Sequence, residues 1–179
     1  MKKKYLLHVC CGPCSVALFE ELQKEYDVTV HFYNPNIHPE EEYEKRKYEV
    51  VKLCTELHIP MVEETYNPEG WFSWTKEHAD EKEGGERCQK CFHFRLNSAV
   101  KYAKENGFQI FGTTLTSGRN KKASIINAIG KSLANEYGIE FHEEDWKKGG
   151  RQEQAKKLIE EKGIYRQDYC GCIYSKRKE

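Results

Sequence analysis

The chain has 179 residues, its 29 basic and 29 acidic side chains cancel, and 32% of its residues are charged. That length supports one domain with a core large enough to dispense with disulfide staples, and the zero formal charge argues against a strongly basic nucleic-acid binder while leaving room for a local patch. The apolar run after Lys2-Lys3-Lys4 breaks early into a Cys/Gly/Pro turn, which excludes a membrane span or secretory signal there and predicts a cytoplasmic protein.

Residues 5–9 read as a buried strand, followed by a helix from about Cys14-Ser15 through Leu18, Phe19 and Leu22. Residues 28–33 make a second strand, ended by Asn34-Pro35-Asn36. Pro39 opens a helix with Tyr43, Val50, Val51, Cys54 and Leu57 on one side, and residues 60–63 form a short third strand. Residues 67–87, rich in Gly, Trp and acid, break the rhythm and read as an inserted arm over the site. A helix over 88–106 stops at Gly107, and a fourth strand covers 108–111. A helix over 122–137 stops at Gly138, strand five covers 139–142, and a last helix over 151–162 stops at Gly163. This alternation predicts an α/β fold: a doubly wound, mostly parallel five-stranded sheet in a single metal-cluster-binding domain over 1–179, with a Cys-containing C-terminal tail over about 164–179. Ligands in such sheets bind beyond the carboxyl ends of the strands. The loops after strands one and four are therefore expected to face each other.

Seven of the eight cysteines fall into three groups: Cys10-Cys11-Gly-Pro-Cys14, Cys88-x-x-Cys91 and Cys170-Gly-Cys172. In a reducing cytosol such clusters are metal ligands or redox groups more often than structural disulfides. Cys10-Cys11 can serve one centre only where the strand breaks, which Gly12-Pro13 supplies, because neighbours in a strand point to opposite faces. Cys88 and Cys91 open a helix, where thiolate charge is stabilised; zinc, cluster and redox-pair readings all suit that spacing. Cys170 and Cys172 could close a reducible disulfide or chelate a metal. Cys54 continues an apolar stripe and reads as core. The segment Thr113–Lys122 carries hydroxyls, Ser117, Arg119, Lys121 and Lys122 before a helix start, a candidate anion site. Trp71-Phe72-x-Trp74, on a loop in this reading, is either a packing knot or a platform for a base. His8, His31 and His58 read as structural.

Together, His8-Val-Cys-Cys-Gly-Pro-Cys-Ser15, Gly85-Glu-Arg-Cys-Gln-Lys-Cys-Phe-x-x-Arg95-Leu96, Thr113-Thr-Leu-Thr-Ser117 and Tyr169-Cys-Gly-Cys172 resemble the QueH family of epoxyqueuosine reductases across the whole chain. The resemblance implies removal of the epoxide oxygen of epoxyqueuosine at the tRNA wobble position. It also implies a [4Fe–4S] cluster on Cys10, Cys11, Cys88 and Cys91, and a second redox element at Cys170 and Cys172, either a disulfide or part of an iron site, with Cys14 beside both. The surplus of three clustered thiols suggests an iron on Cys14, Cys170 and Cys172, completed by Asp168 or Asp80. The expected partners are the tRNA anticodon arm, held by Trp71, Trp74, Ser117, Arg119, Lys121 and Lys122, and an electron donor of unidentified kind. Family members often carry Pro where this chain has Gly118. The fold also resembles the adenine-nucleotide α-hydrolases, but no SGGxDS-type loop or cobalamin signature accompanies it, so ATP use is not expected. The competing classes are a zinc- or cluster-bound tRNA or protein interaction module and a metal-free thiol–disulfide oxidoreductase.

Overall fold

The computed structural model of the chain describes residues 1–176. Arg177 and Lys178, which continue the basic run begun by Lys176, lie outside the described residues. The strands are β1 (Lys3–His8), β2 (Tyr26–Phe32), β3 (Met61–Glu63), β4 (Ile110–Thr113) and β5 (Glu140–Phe141). The helices are α1 (Phe19–Glu25), α2 (Glu40–Glu56), α3 (Pro68–Thr75), α4 (Glu86–Glu105), α5 (Ala123–Tyr137) and α6 (Arg151–Lys162). The sheet runs β3-β2-β1-β4-β5 and every pairing is parallel.

The alternation of side chains along β1 builds two cores. Tyr5, Leu7 and Val9 face one layer with Val50 and Leu53 of α2 and Phe19 and Leu22 of α1. Leu6 faces the other, with Leu96, Ala99 and Val100 of α4 and Ile126 and Leu133 of α5. Each of these fully buried aliphatic side chains contributes about 1.5–3 kcal/mol. The order brings β1 beside β4, with Leu6 opposite Phe111 and His8 opposite Thr113. Both strands then release their loops at the same edge.

The structure corrects several local expectations. The first α-helix starts at Phe19 rather than near Cys14, because residues 12–18 form successive tight turns in which Ser15 and Val16 both donate to the Gly12 carbonyl. Val51 is 42% exposed, and Leu53 takes the expected core position on α2. Strand β4 lies two residues later than expected, at Ile110–Thr113. The arm is not a loop at Trp71. Asn67 caps α3 by accepting from the Gly70 amide at 3.0 Å, and Pro68 occupies the first turn, where its missing N–H costs nothing.

Candidate active site and metal centre

Beyond β1 the chain turns sharply. Asn34 Nδ2 donates to the Val9 carbonyl at 2.9 Å, and Ser15 Oγ donates to the Cys11 carbonyl at 2.7 Å. This places Cys10, Cys11 and Cys14 so that their sulfurs lie within 4.8 Å of one another. The loop after β4 closes on them: the Cys10 amide donates to Thr114 Oγ1 at 3.4 Å, and Ser117 Oγ donates to the Cys14 carbonyl at 3.1 Å. The crevice expected between strands one and four is therefore present and lined with thiols. Within the trio, hydrogen bonds from Cys11 and then Cys14 pull the Cys10 thiol well below its ordinary value. Their bonds to Cys10 push Cys11 and Cys14 up in turn.

Cys88 and Cys91 occupy the first turns of α4. Gly84, at φ 92°, turns its amide to donate to Cys88 Sγ at 3.2 Å, a conformation that other residues adopt at a cost. Arg95, one turn beyond Cys91, lies with Nη1 at 4.0 Å from its sulfur and is itself held by Asn34 Oδ1.

The tail completes the wall. Arg46 is 2% exposed and donates Nη1 to the Cys170 carbonyl at 2.9 Å, Nη2 to the Tyr169 carbonyl at 3.1 Å, and Nε to Glu42 at 2.7 Å. Gly171, at φ 106°, gives its carbonyl to the His38 amide at 2.8 Å. A Cβ on Gly171 would stand 2.9 Å from Arg46 Nη1 and 3.0 Å from Ile37, so the approach depends on glycine. Gln167 Nε2 donates to Cys11 Sγ at 3.0 Å.

Two adjoining cavities result. One, of about 260 Å³, is lined by Cys10, Cys14, Cys170, Arg46, Arg95 and Lys121, with Asp168 at its edge. The other, of about 200 Å³, is lined by Cys88, Cys91, Cys170, Cys172, Trp71 and Lys121, with Lys122 at its edge. Cys170 and Lys121 border both. Burial pulls the Lys121 ammonium down, but Cys170, Cys10 and Cys14 outweigh it and hold the group above its ordinary range. All eight cysteines are free thiols.

Of the other expected residues, Trp71 is 0% exposed and packs with Cys91 and Cys172. It is part of the wall and no base can stack on it in this arrangement. Trp74 is 44% exposed, stacks on His93, and donates Nε1 to the Lys90 carbonyl at 3.1 Å. Asp80 lies exposed on the arm and lines neither cavity, whereas Asp168 reaches the first. Arg119 is exposed at the mouth of the first cavity. Cys54 is buried in the core as expected. Sequence reasoning passed over Arg46, Gln167 and the role of Arg95. The i,i+4 spacings Glu42/Arg46 and Cys91/Arg95 were the available signal.

The donor set suits an iron–sulfur centre: the converging Cys10, Cys11 and Cys14 and the thiols lining the two cavities stand beside three buried guanidiniums, Arg46, Arg87 and Arg95, a half-buried ammonium and N–H groups aimed at sulfur, and these offset thiolate charge. The buried Trp71 Nε1 and Arg95 Nε have no hydrogen-bond partner among the described residues, which leaves donors to spare around the cavities.

Fold and site define a doubly wound α/β protein with a thiol-lined crevice at its topological switch point. Solved structures that it is similar to share the α/β fold. They include the U34-tRNA thiolase NcsA of Methanococcus maripaludis with its [4Fe-4S] cluster, at TM-score 0.59 and 13% identity over 98% of this chain and 62% of that one. A predicted subunit of tRNA methyltransferase from Methanocaldococcus jannaschii matches at TM-score 0.58 and 14% identity, over 88% and 76%.

Residues 5–178 match the model of the family described as epoxyqueuosine reductase QueH, and the chain belongs to that family. The epoxyqueuosine reductase QueH of Histophilus somni is 39% identical over 176 residues, 97% of this chain and 72% of that protein. The Thermotoga maritima protein of the same name is 36% identical over 173 residues, 95% and 88%. The chain is thus an oxidoreductase of the epoxyqueuosine reductase kind, acting on tRNA. Among the described residues no helix is long and apolar enough to cross a membrane.

Proposed function

We propose that the chain deoxygenates epoxyqueuosine at the tRNA wobble position with a [4Fe–4S] cluster on Cys10, Cys11, Cys88 and Cys91 and a second redox element at Cys14, Cys170 and Cys172. The observation that carries this is the pair of adjoining sulfur-lined cavities with Cys170 on both. Converting an epoxide to an alkene consumes two electrons and two protons and releases water. A bound cluster supplies electrons one at a time. The chain's own groups answer the remaining needs. Arg46, Arg95 and Lys121 balance thiolate charge, Trp71 and the α3 arm shield the second cavity from water, and Asp168 stands where the first cavity meets solvent. As a dithiol, Cys170 and Cys172 would give up two electrons and two protons while closing an S–S bond, which balances the reaction in one turnover. An electron donor must then reopen that bond. As ligands they would instead hold an additional iron, with Asp168 as a further donor.

A second assignment has its own support. Cys88, Cys91, Cys170 and Cys172 line one cavity, while Cys10, Cys11 and Cys14 converge by themselves. Alanine variants separate the two. Under the first assignment Cys10→Ala loses the cluster and Cys172→Ala keeps it. Under the second, Cys172→Ala loses it. Iron and sulfide assays on anaerobic protein read the difference. The activity is tested by anaerobic turnover of tRNA bearing epoxyqueuosine with a chemical reductant, where the modified nucleoside should lose the mass of one oxygen atom. Unchanged nucleoside with cluster-replete protein would sink the reading.

A further inference from the structure

Two grooves flank the first cysteine cavity, and their charges are opposite. On the α2 side an open groove of about 810 Å³ is walled by Glu40, Glu41, Glu44 and Glu49, with Lys45 as the only cation among the described residues that line it. On the α6 side a groove of about 480 Å³ runs from Cys14 past Arg119 and Arg151 to Lys156 and Arg166, with Glu153 as the only acid among the described residues that line it. Tyr165 lines the acidic groove, and the next two residues, Arg166 and Gln167, line the basic one.

The basic groove is continuous with the chemistry. Cys14, Gly118, Arg119 and Gln167 line both it and the cysteine cavity. A chain lying in the groove therefore meets the sulfurs without crossing a ridge. Its cations are also available. Arg151 is engaged by Glu21, at 2.7 and 3.0 Å, but Arg119, Lys156 and Arg166 are exposed and form no ion pair among the described residues. The floor is apolar where Trp146 lies buried beneath the Arg151 guanidinium, 4.9 Å from its ring. Unpaired cations along an open groove suit a polyanion, whose phosphates release counterions on binding.

We infer that the groove between α6 and the loop after β4 is the track for the phosphates of the tRNA anticodon strand, contacted by Arg119, Lys156 and Arg166, while the acidic groove keeps the strand off the α2 side. The inference rests on the reductase reading and adds a direction to it: the wobble nucleotide arrives past Cys14.

The test is a fluorescence-anisotropy titration of an unmodified tRNA transcript against the full chain at several salt concentrations. Lys156→Glu and Arg166→Glu should each weaken binding about tenfold and lower the salt slope by about one. The control is Lys157→Glu on the same helix. Lys157 lines no part of the groove and lies 3.7 Å from Glu161, so its reversal should change affinity less than about twofold. Equal losses in Lys157→Glu and Lys156→Glu would overturn the inference, as would wild-type affinity in both groove variants. Groove variants that lose tRNA while the wild type binds it but never removes the epoxide oxygen would support the track and sink the reductase reading.

Discussion

Arg46 Nη1 donates to the carbonyl of Cys170 at 2.9 Å, joining the middle of α2 to the cysteine tail. The same guanidinium also donates to the Tyr169 carbonyl and to Glu42 and lies 5.3 Å over the Tyr169 ring. Glu42 in turn accepts from the Tyr165 hydroxyl at 2.8 Å. One buried cation thus sets the position of the tail that brings Cys170 and Cys172 to the cavities.

Arg46→Ala should cost about 3–5 kcal/mol, because it leaves the Glu42 carboxylate buried without its partner. Amide exchange over residues 165–172 should accelerate and turnover should fall at least about tenfold. Arg46→Lys should restore part of the stability and little of the tail protection, since an ammonium lacks the planar fork that reaches two carbonyls. Unchanged exchange in Arg46→Ala would refute the positioning role.

Cys54 is buried in the core on the α2 side and lines neither cysteine cavity. Burial pushes its thiol up to about 12, so it should resist alkylation at neutral pH. Cys54→Ala should keep full iron content and turnover and lose about 1 kcal/mol in denaturant unfolding. A drop in iron would contradict its assignment as core.

Gly130 on α5 faces Phe141 of β5. A Cβ there would fall inside 3.0 Å of the ring. Alanine gains about 1 kcal/mol in helix propensity, and overpacking costs about 1–3 kcal/mol, so Gly130→Ala should be net destabilising. Phe141→Leu in the same chain should relieve the clash, a coupling that a double-mutant cycle measures.

The acid limb of stability should carry a contribution from Glu64. Burial raises its carboxyl, but hydrogen bonds from His31 and Ser98 outweigh that and hold it below its ordinary value. A depressed folded pKa gives stability that is present above the unfolded value and lost as pH falls through the folded one. Glu64→Gln should therefore lower stability near neutrality and remove the part of the acid decline that sets in below about pH 4.3, so that the two proteins converge at low pH. An identical acid limb in the variant would refute this.

The parallel order and the β1/β4 crevice were legible because strand and helix periods alternate cleanly and Gly107, Gly138 and Gly163 punctuate them. The three cysteine groups were legible for the same reason: each sits where a period breaks. What escaped were contacts made by distant segments. Arg46 and Glu42 look like a solvated helix face until residues 165–171 fold over them. Trp71 looks exposed in an acidic, glycine-rich arm until Cys91 and Cys172 close around it. The Asn67-Pro68 start of α3 carried the one local hint, a cap followed by proline in the first turn.

The sulfurs of the site come from the first strand exit, the start of α4 and the tail, segments that lie far apart in the chain. Cys10, Cys11 and Cys14 come together within one tight loop, whereas the wall formed by Cys170 and Cys172 depends on the grip of Arg46 from α2. The two cavities therefore exist only where all three segments are folded together, and a chain without its docked tail would hold a loop of thiols but no chamber.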